Sequence, residues 1–234
     1  MEPIYKRVLI KLSGEALAGE QGHGLDFDKV LEICKSVKET YDLGVEIAIV
    51  VGGGNFWRGR SSGDMDRTRA DSIGMLATVM NSLALQQGFL DVGVEARVMS
   101  AVQITGVVET FMRDEAVRHL EKGRVVIFAG GTGNPFFSTD SGAALRAAQI
   151  NADVYFKATN VDGVYDKDPN KFSDAVKFDK ISHDELLSRN LAVMDTAAAA
   201  ICRENNIPIL VFNLNDTENI NRAVCGENAG TVVS

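Results

Sequence analysis

Cysteine is scarce, and what there is lies scattered. Cys34, Cys202 and Cys225 are the only three in 234 residues, and none forms a C-x-x-C pair. That excludes a disulfide framework and suggests a reducing compartment with buried thiols. His23, His119 and His183 are equally dispersed, so no zinc-site spacing exists. Basic runs are also missing. The formal net charge is −8 and the isoelectric point is near 5.0, a surface that repels nucleic acid. The opening MEPIYKRVLIKLSGEAL holds an apolar run far too short for a membrane span or a secretory signal, so a cytoplasmic protein is expected. Internal repeats, low-complexity tracts and dividing linkers are absent as well. Asp166–Ala175, rich in Asp, Lys, Asn and Pro, reads as an exposed loop or hairpin.

What remains is an ordinary globular composition, 45% hydrophobic and 24% charged, able to form a core without disulfides or a structural metal. Short β-branched runs at Val8–Leu12, Val45–Val51, Ala96–Met99, Val125–Ala129, Val154–Ala158 and Ile209–Asn213 predict strands. The second and fourth are almost wholly apolar, as parallel strands covered on both faces are. Helical patterns fall between them at Phe27–Tyr41, Asp71–Gln87, Arg113–Glu121, Thr139–Ile150 and Asp195–Asn205. In the second helix, Met75, Leu76, Val79, Met80 and Leu83 recur at helical spacing and read as core. Ser182-His183-Asp184-Glu185 reads as a capping box opening a further short helix. The alternation predicts a three-layer αβα sandwich around a mainly parallel sheet, as one unit over residues 1–234.

Ligands of such sheets gather at the carboxyl ends of the strands, and three predicted strands end in glycine turns. The first gives Lys11-Leu12-Ser13-Gly14-Glu15; the second gives Gly52-Gly53-Gly54-Asn55, with Arg58 and Arg60 following. The fourth gives Gly130-Gly131-Thr132-Gly133-Asn134-Pro135, running on to Ser138-Thr139-Asp140-Ser141. Glycine lets the backbone approach an anion, and N–H groups at a helix start point toward it. Any one such turn is equally at home as plain strand punctuation. Together, two of them with a cation nearby, they point to a phosphate site placed against an acidic overall field. The usual fingerprints fail, because no G-x-G-x-x-G occurs. Gly54–Ser61 nearly matches a Walker A loop with Arg60 at the lysine position. Phe56 and Trp57 are bulky for such a loop, and Val125–Gly130 offers no Walker B aspartate.

The motifs KLSGEAL (Lys11–Leu17), GGGNFWRG (Gly52–Gly59), GMLATVMN (Gly74–Asn81), GTGNPFFSTDSGAALRA (Gly131–Ala147) and KATNVDGVYDKDP (Lys157–Pro169) closely resemble the bacterial uridylate (UMP) kinases of the amino acid kinase superfamily. MDTAAAAICRENNIPILVFNLN (Met194–Asn215) continues the likeness, which runs from about Tyr5 onward. The lysine-glycine start and the VDGVY segment are shared across the superfamily; the GTGNPFF stretch with its following S-T-D is the part most characteristic of the UMP kinases.

The resemblance implies an ATP-dependent phosphorylation of UMP to UDP in pyrimidine nucleotide biosynthesis. It implies a UMP-binding lobe over roughly residues 1–150 and an ATP-binding lobe over roughly 151–234. Lys11 would neutralise the phosphoryl group in flight, and Asp140 would orient Lys11 and polar hydrogens rather than take a proton. ATP would be held by Lys11, Leu12, Ser13, Gly14, Gly54, Arg58, Thr159, Asn160, Tyr165 and Asp168, with Lys157 nearby. Asn160 stands where some relatives carry lysine, and either nucleotide could take Arg58. UMP would meet Gly53, Asp71 and the run Thr132, Gly133, Asn134, Pro135, Phe136, Phe137, Ser138 and Thr139. Asp71 reads equally as an N-cap or first-turn acid, and Phe136 and Phe137 equally as pocket walls or core. The resemblance further implies Mg²⁺ arriving with ATP rather than on protein ligands, a homohexamer, inhibition by UTP and activation by GTP. Gly19, Glu20, Gln21, Gly22, His23 and Gly24 match a segment tied to GTP activation, and Arg97 and Arg124 match residues near the effector site; flexible-loop and surface ion-pair readings serve these equally. The alternatives are another member of the superfamily, acting on a small carboxylate, carbamate or isopentenyl phosphate, and a non-catalytic sensor of UMP or UTP.

Overall fold

The six apolar runs become six contiguous parallel strands. The structure is a computed structural model describing residues 2–58, 63–191, 193–214 and 218–234. Arg7–Leu12 forms β1, Glu46–Val51 β2, Ala96–Ser100 β3 and Glu109–Thr110 β4. Val125–Ala129 forms β5, Val154–Thr159 β6, Val164–Tyr165 β7, Lys177–Phe178 β8 and Lys180–Ile181 β9. Ile209–Asn213 is β10 and Gly230–Val233 is β11. Nine of these make one sheet in the order β4-β3-β5-β2-β1-β6-β10-β11-β9. Its only antiparallel pairing among the described residues is β10 with β11, while β7 and β8 form a separate hairpin. The expected hairpin around Asp166–Ala175 is therefore present. The two-residue strands and β11 are too short to show a period, and they were not anticipated.

Strand alternation sends each residue to one of two helical layers. Val8, Ile10 and Leu12 of β1 face the same core as Phe27–Tyr41 (α1), Arg67–Asp91 (α2) and Glu218–Val224 (α7). Leu9 faces the other core, shared with Arg113–Glu121 (α3), Thr139–Gln149 (α4), His183–Ser188 (α5) and Thr196–Glu204 (α6). β1 lies at the centre, flanked by β2 and β6, so it is buried on both faces. The outcome is the αβα sandwich the alternation predicted.

Two helices bear on the site. In α4, Gly142, Ala143, Ala144 and Ala147 are small and buried, which lets the helix lie close to the sheet. Ser138 caps it, accepting from the Ser141 N–H at 3.2 Å, and places Asp140 in the first turn, where an acid is favoured by the helix dipole. Helix α2 starts four residues before the expected position, with Asp66 as its cap accepting from the Arg69 N–H. Asp71 is consequently neither an N-cap nor a first-turn residue. The apolar stripe was also misjudged: Val79 is buried, but Leu76 and Met80 are 51% and 46% exposed. Periodicity defines a face of a helix without telling which neighbour covers it.

Candidate active site

β1 and β6 are parallel neighbours with Lys11 directly opposite Lys157. Both side chains leave the sheet on the α4 side, each following an apolar neighbour on that face, Leu9 and Tyr155. Asp140 descends from the first turn of α4 and meets both. Its carboxylate lies 3.1 Å from Lys11 Nζ and forms a close ion pair with Lys157 Nζ. The Tyr155 hydroxyl donates to the same carboxylate at 3.4 Å. Side-chain exposures of 16%, 14% and 8% for Lys11, Asp140 and Lys157 make this a semi-buried cluster. Two ammonium groups against one carboxylate leave it positive within an acidic protein.

Burial alone would lift the Asp140 carboxyl, yet the charges of Lys11 and Lys157 outweigh it and hold the group below the usual carboxylate range. Burial lowers the Lys157 ammonium, opposed by Asp140. Tyr155 is pushed well above its ordinary value by burial and by the adjacent carboxylate. Asp140 is thus ionised near neutrality and committed to the lysines. Sequence reasoning placed Lys157 only nearby; the alternation of β6, with Tyr155 and Lys157 on one face, was the signal for its true place.

Thr139, the residue before Asp140, lines a cleft of about 470 Å³ whose wall does not include Lys11, Asp140 or Lys157 themselves. Gly53, Gly54 and Arg58 line it from the turn after β2, and Gly131, Thr132, Asn134, Phe137, Ser138 and Thr139 from the turn after β5. Helix α2 adds Arg67, Ala70, Asp71, Gly74, Met75 and Thr78, and Trp57 completes the wall. Asp71 is held from two sides, by Arg67 Nε at 2.8 Å and by the Phe136 N–H at 2.8 Å. That contact fixes Phe136 with φ +73, a left-handed conformation uncommon for a bulky residue. Arg67, Trp57, Met75 and Thr78 escaped sequence reasoning. Arg67 was findable as the i−4 partner of Asp71; the others required the tertiary fold.

Not every expected residue reaches the cleft. Gly133 and Pro135 lie outside its lining, and Phe136 is 66% exposed, neither core nor pocket wall. Phe137, 53% exposed, does line the cleft, so core packing is overturned for both rings. Leu12 is fully buried toward α1 and α2, and its carbonyl already accepts the Gly52 N–H at 3.0 Å. Ser13 caps a short 3-10 helix over Gly14–Leu17. Arg58 pairs with Glu15 across the first two turns. Thr159, Asn160, Tyr165 and Asp168 stand apart from the cleft lining. The Tyr165 hydroxyl donates to Asp162 at 2.6 Å, and Asp168 pairs with Lys171 at 3.2 Å. Gly59, Arg60 and Ser61, part of the near-match to a Walker A loop, fall outside the described residues.

The expected effector residues divide. Arg97 and Arg124 meet on Glu95, at 2.6 and 3.0 Å, where the neighbouring strands β3 and β5 begin. The Gly19–Gly24 segment instead reaches Asn55, which accepts the Gly24 N–H at 3.0 Å through its carbonyl. Among the described residues, no group of three or more His, Cys, Asp or Glu side chains comes together as a metal cage, and no helix is long and apolar enough to cross a membrane.

Comparison with known proteins agrees with this architecture. The chain resembles a UMP kinase from Bacillus anthracis at TM-score 0.95 and 39% identity, over 98% of this chain and 96% of that one. It resembles a UMP kinase from Ureaplasma parvum at TM-score 0.92 and 38% identity, over 98% of each chain. A uridylate kinase from Archaeoglobus fulgidus matches at TM-score 0.75 and 32% identity, over 97% and 99% of the two chains. The family model for the amino acid kinase family matches residues 6–213, and this chain belongs to that family.

Proposed function

We propose that the chain transfers the γ-phosphoryl group of ATP to the phosphate of UMP, giving ADP and UDP. The observation that carries this reading is the positive Lys11–Asp140–Lys157 cluster standing beside the cleft of Gly53, Asp71 and Thr132. The likeness to UMP kinases supplies the identity of the acceptor.

The chemistry matches the groups present. The second pKa of a phosphate monoester lies at about 6, so the acceptor is already a dianionic nucleophile near neutrality and needs no general base. Asp140, held ionised by two lysines, serves to aim them. An acceptor phosphate oxygen bonds to the γ-phosphorus in line as the bond to the β–γ bridging oxygen breaks, and that electron pair leaves with ADP. Lys11 and Lys157 face the charge that spreads over the transferred group. Gly53 and Gly54 let backbone come close to phosphate, with the Arg58 guanidinium beside them. Asp71 accepts ribose hydroxyls once the nucleoside enters, and Thr132, Asn134, Ser138 and Thr139 read the base.

Because Asp140 is occupied by its lysines, a divalent cation accompanying ATP would be held by the phosphate oxygens, where it neutralises charge. We further propose a homohexamer activated by GTP and inhibited by UTP, with Gly19–Gly24, Arg97 and Arg124 serving the effector response.

The test is ATP turnover with UMP against CMP, dCMP and dUMP, with and without GTP. UMP is expected to be the preferred acceptor. Silence with UMP beside turnover of a small carboxylate would sink the assignment in favour of another branch of the family.

A further inference from the structure

The three glycine turns are far apart in sequence, yet one helix bonds directly to two of them. Asn81, fully buried on α2, donates through Nδ2 to the Gly52 carbonyl at 2.6 Å and to Asn55 Oδ1 at 2.7 Å. Asn55 Nδ2 donates back to Asn81 Oδ1 at 3.0 Å and onward to the Gly24 carbonyl at 2.6 Å. One turn earlier on the same helix, Thr78 Oγ1 accepts the Gly130 N–H at 2.8 Å and donates to the Met75 carbonyl at 2.6 Å. The first turn joins through Asn55: a Cβ on Gly14 would stand 2.4 Å from the Gly52 oxygen and 2.6 Å from Asn55 Oδ1. Gly53 is also tightly packed, since a Cβ there would lie 2.8 Å from the Ala77 Cβ.

Polar side chains on the inner flank of a helix are costly unless fully bonded. Here the amides of Asn55 and Asn81 and the hydroxyl of Thr78 are bonded to the backbone of the turns, to one another, or to the Met75 carbonyl. The turns they hold present Gly53, Gly54, Gly131 and Thr132 to one cleft.

We propose that Thr78 and Asn81 are positioning residues that set the spacing between the turn after β2 and the turn after β5, and thereby align the acceptor phosphate with its nucleoside. The functional half rests on UMP being the acceptor. The spacing itself does not.

Thr78→Val removes the acceptor of the Gly130 N–H at nearly constant volume, and Thr78→Ser keeps it. The valine variant is expected to lower kcat/KM for UMP about tenfold, the ~1.4 kcal/mol of one orphaned buried amide, chiefly through KM for UMP. KM for ATP should stay within about twofold, and serine should restore wild-type values to within about twofold, because its hydroxyl replaces the lost hydrogen bond. Asn81→Ala, which loosens the turn shared with Gly14, should raise KM for both nucleotides. Hydrogen exchange on the ligand-free protein provides the second readout: Thr78→Val should speed exchange over residues 130–134 and leave residues 27–41 unchanged. Wild-type KM for UMP in Thr78→Val, or equal impairment by valine and serine, would overturn the proposal. If the wild type fails to turn over UMP, the acceptor assignment falls by itself, and exchange still decides: unchanged protection at 130–134 refutes the spacing role.

Discussion

The cleft proposed for the acceptor and the hairpin proposed for the donor are finished to different degrees. Around Asp71 the groups already converge. The carboxylate holds Arg67 and the Phe136 N–H, two glycine turns face each other, and helix α2 ties them into one wall. Across β6, the hairpin to which the resemblance assigns ATP contacts is occupied with itself. Tyr165 and Lys177 both engage Asp162, Lys167 pairs with Asp174, and Lys171 pairs with Asp168. Exposed pairs of this kind are worth about 0–1 kcal/mol each, so a triphosphate can exchange them cheaply. On the proposed assignment, UMP would meet a preformed site, and ATP would rearrange a loop to make its own.

The sharpest way to break this contrast is at the point both sides share. Lys11→Ala should cut turnover by about a thousandfold or more, the scale of removing a preorganised charge at the transferring group, while calorimetry shows UMP binding largely intact. Normal turnover in that variant would remove Lys11 from the chemistry. Asp140→Asn should be as damaging to rate and also lower stability by about 3–5 kcal/mol in a denaturant titration, since two semi-buried lysines lose their carboxylate.

Smaller effects then separate the two sides. Asp71→Asn loosens both Arg67 and the Phe136 turn and is expected to reduce kcat/KM for UMP about 10–100-fold, as loss of a charge-assisted contact does. KM for ATP should hardly move, and an equal rise for both nucleotides would erase the proposed division. Tyr165→Phe removes only a bond to Asp162 and should alter KM for ATP by less than about threefold, because the hydroxyl serves its own loop.

Acid titration offers the mildest test. Asp140, Asp162 and Asp168 are all held below their ordinary values: Asp140 against its own burial by Lys11 and Lys157, Asp162 first by the Tyr165 hydroxyl, Asp168 first by the Asn170 N–H. A depressed carboxyl contributes stability that is full above its unfolded pKa of about 3.9 and is lost as pH falls through the lower folded value. Added salt should shrink only the part of the hairpin acids' share that comes from Lys177 and Lys171, and leave the hydrogen-bonded part and that of Asp140. A salt response unchanged by Asp162→Asn would contradict this.

Much of the fold was legible because the apolar runs of β2 and β5 have no other use than a sheet covered on both faces. The ends of α1 and α3 agree with the pattern to the residue. The start of α2 does not, since Arg67-Thr68-Arg69 is polar and its cap, Asp66, precedes no apolar run. The Lys11–Asp140 proximity is legible only through resemblance, whereas the face that Lys157 shares with Tyr155 follows from β alternation in the sequence itself. Thr78 and Asn81 looked like part of an ordinary helix because their bonds run to residues 52 and 130, and no local period encodes a contact of that range.

The Lys11–Lys157 register turns the innermost strands into a counter. A strand changes face with each residue, so deleting one residue within β1 would swing Lys11 into the layer of α1 and α2 and send an aliphatic side chain to Asp140. A substitution there alters one group; a deletion exchanges core and catalytic face together. Residues beyond Gly14 carry no such parity. Lineages of this fold are therefore expected to vary loop length freely after the first turn while keeping the count from the start of β1 to Lys11 unchanged.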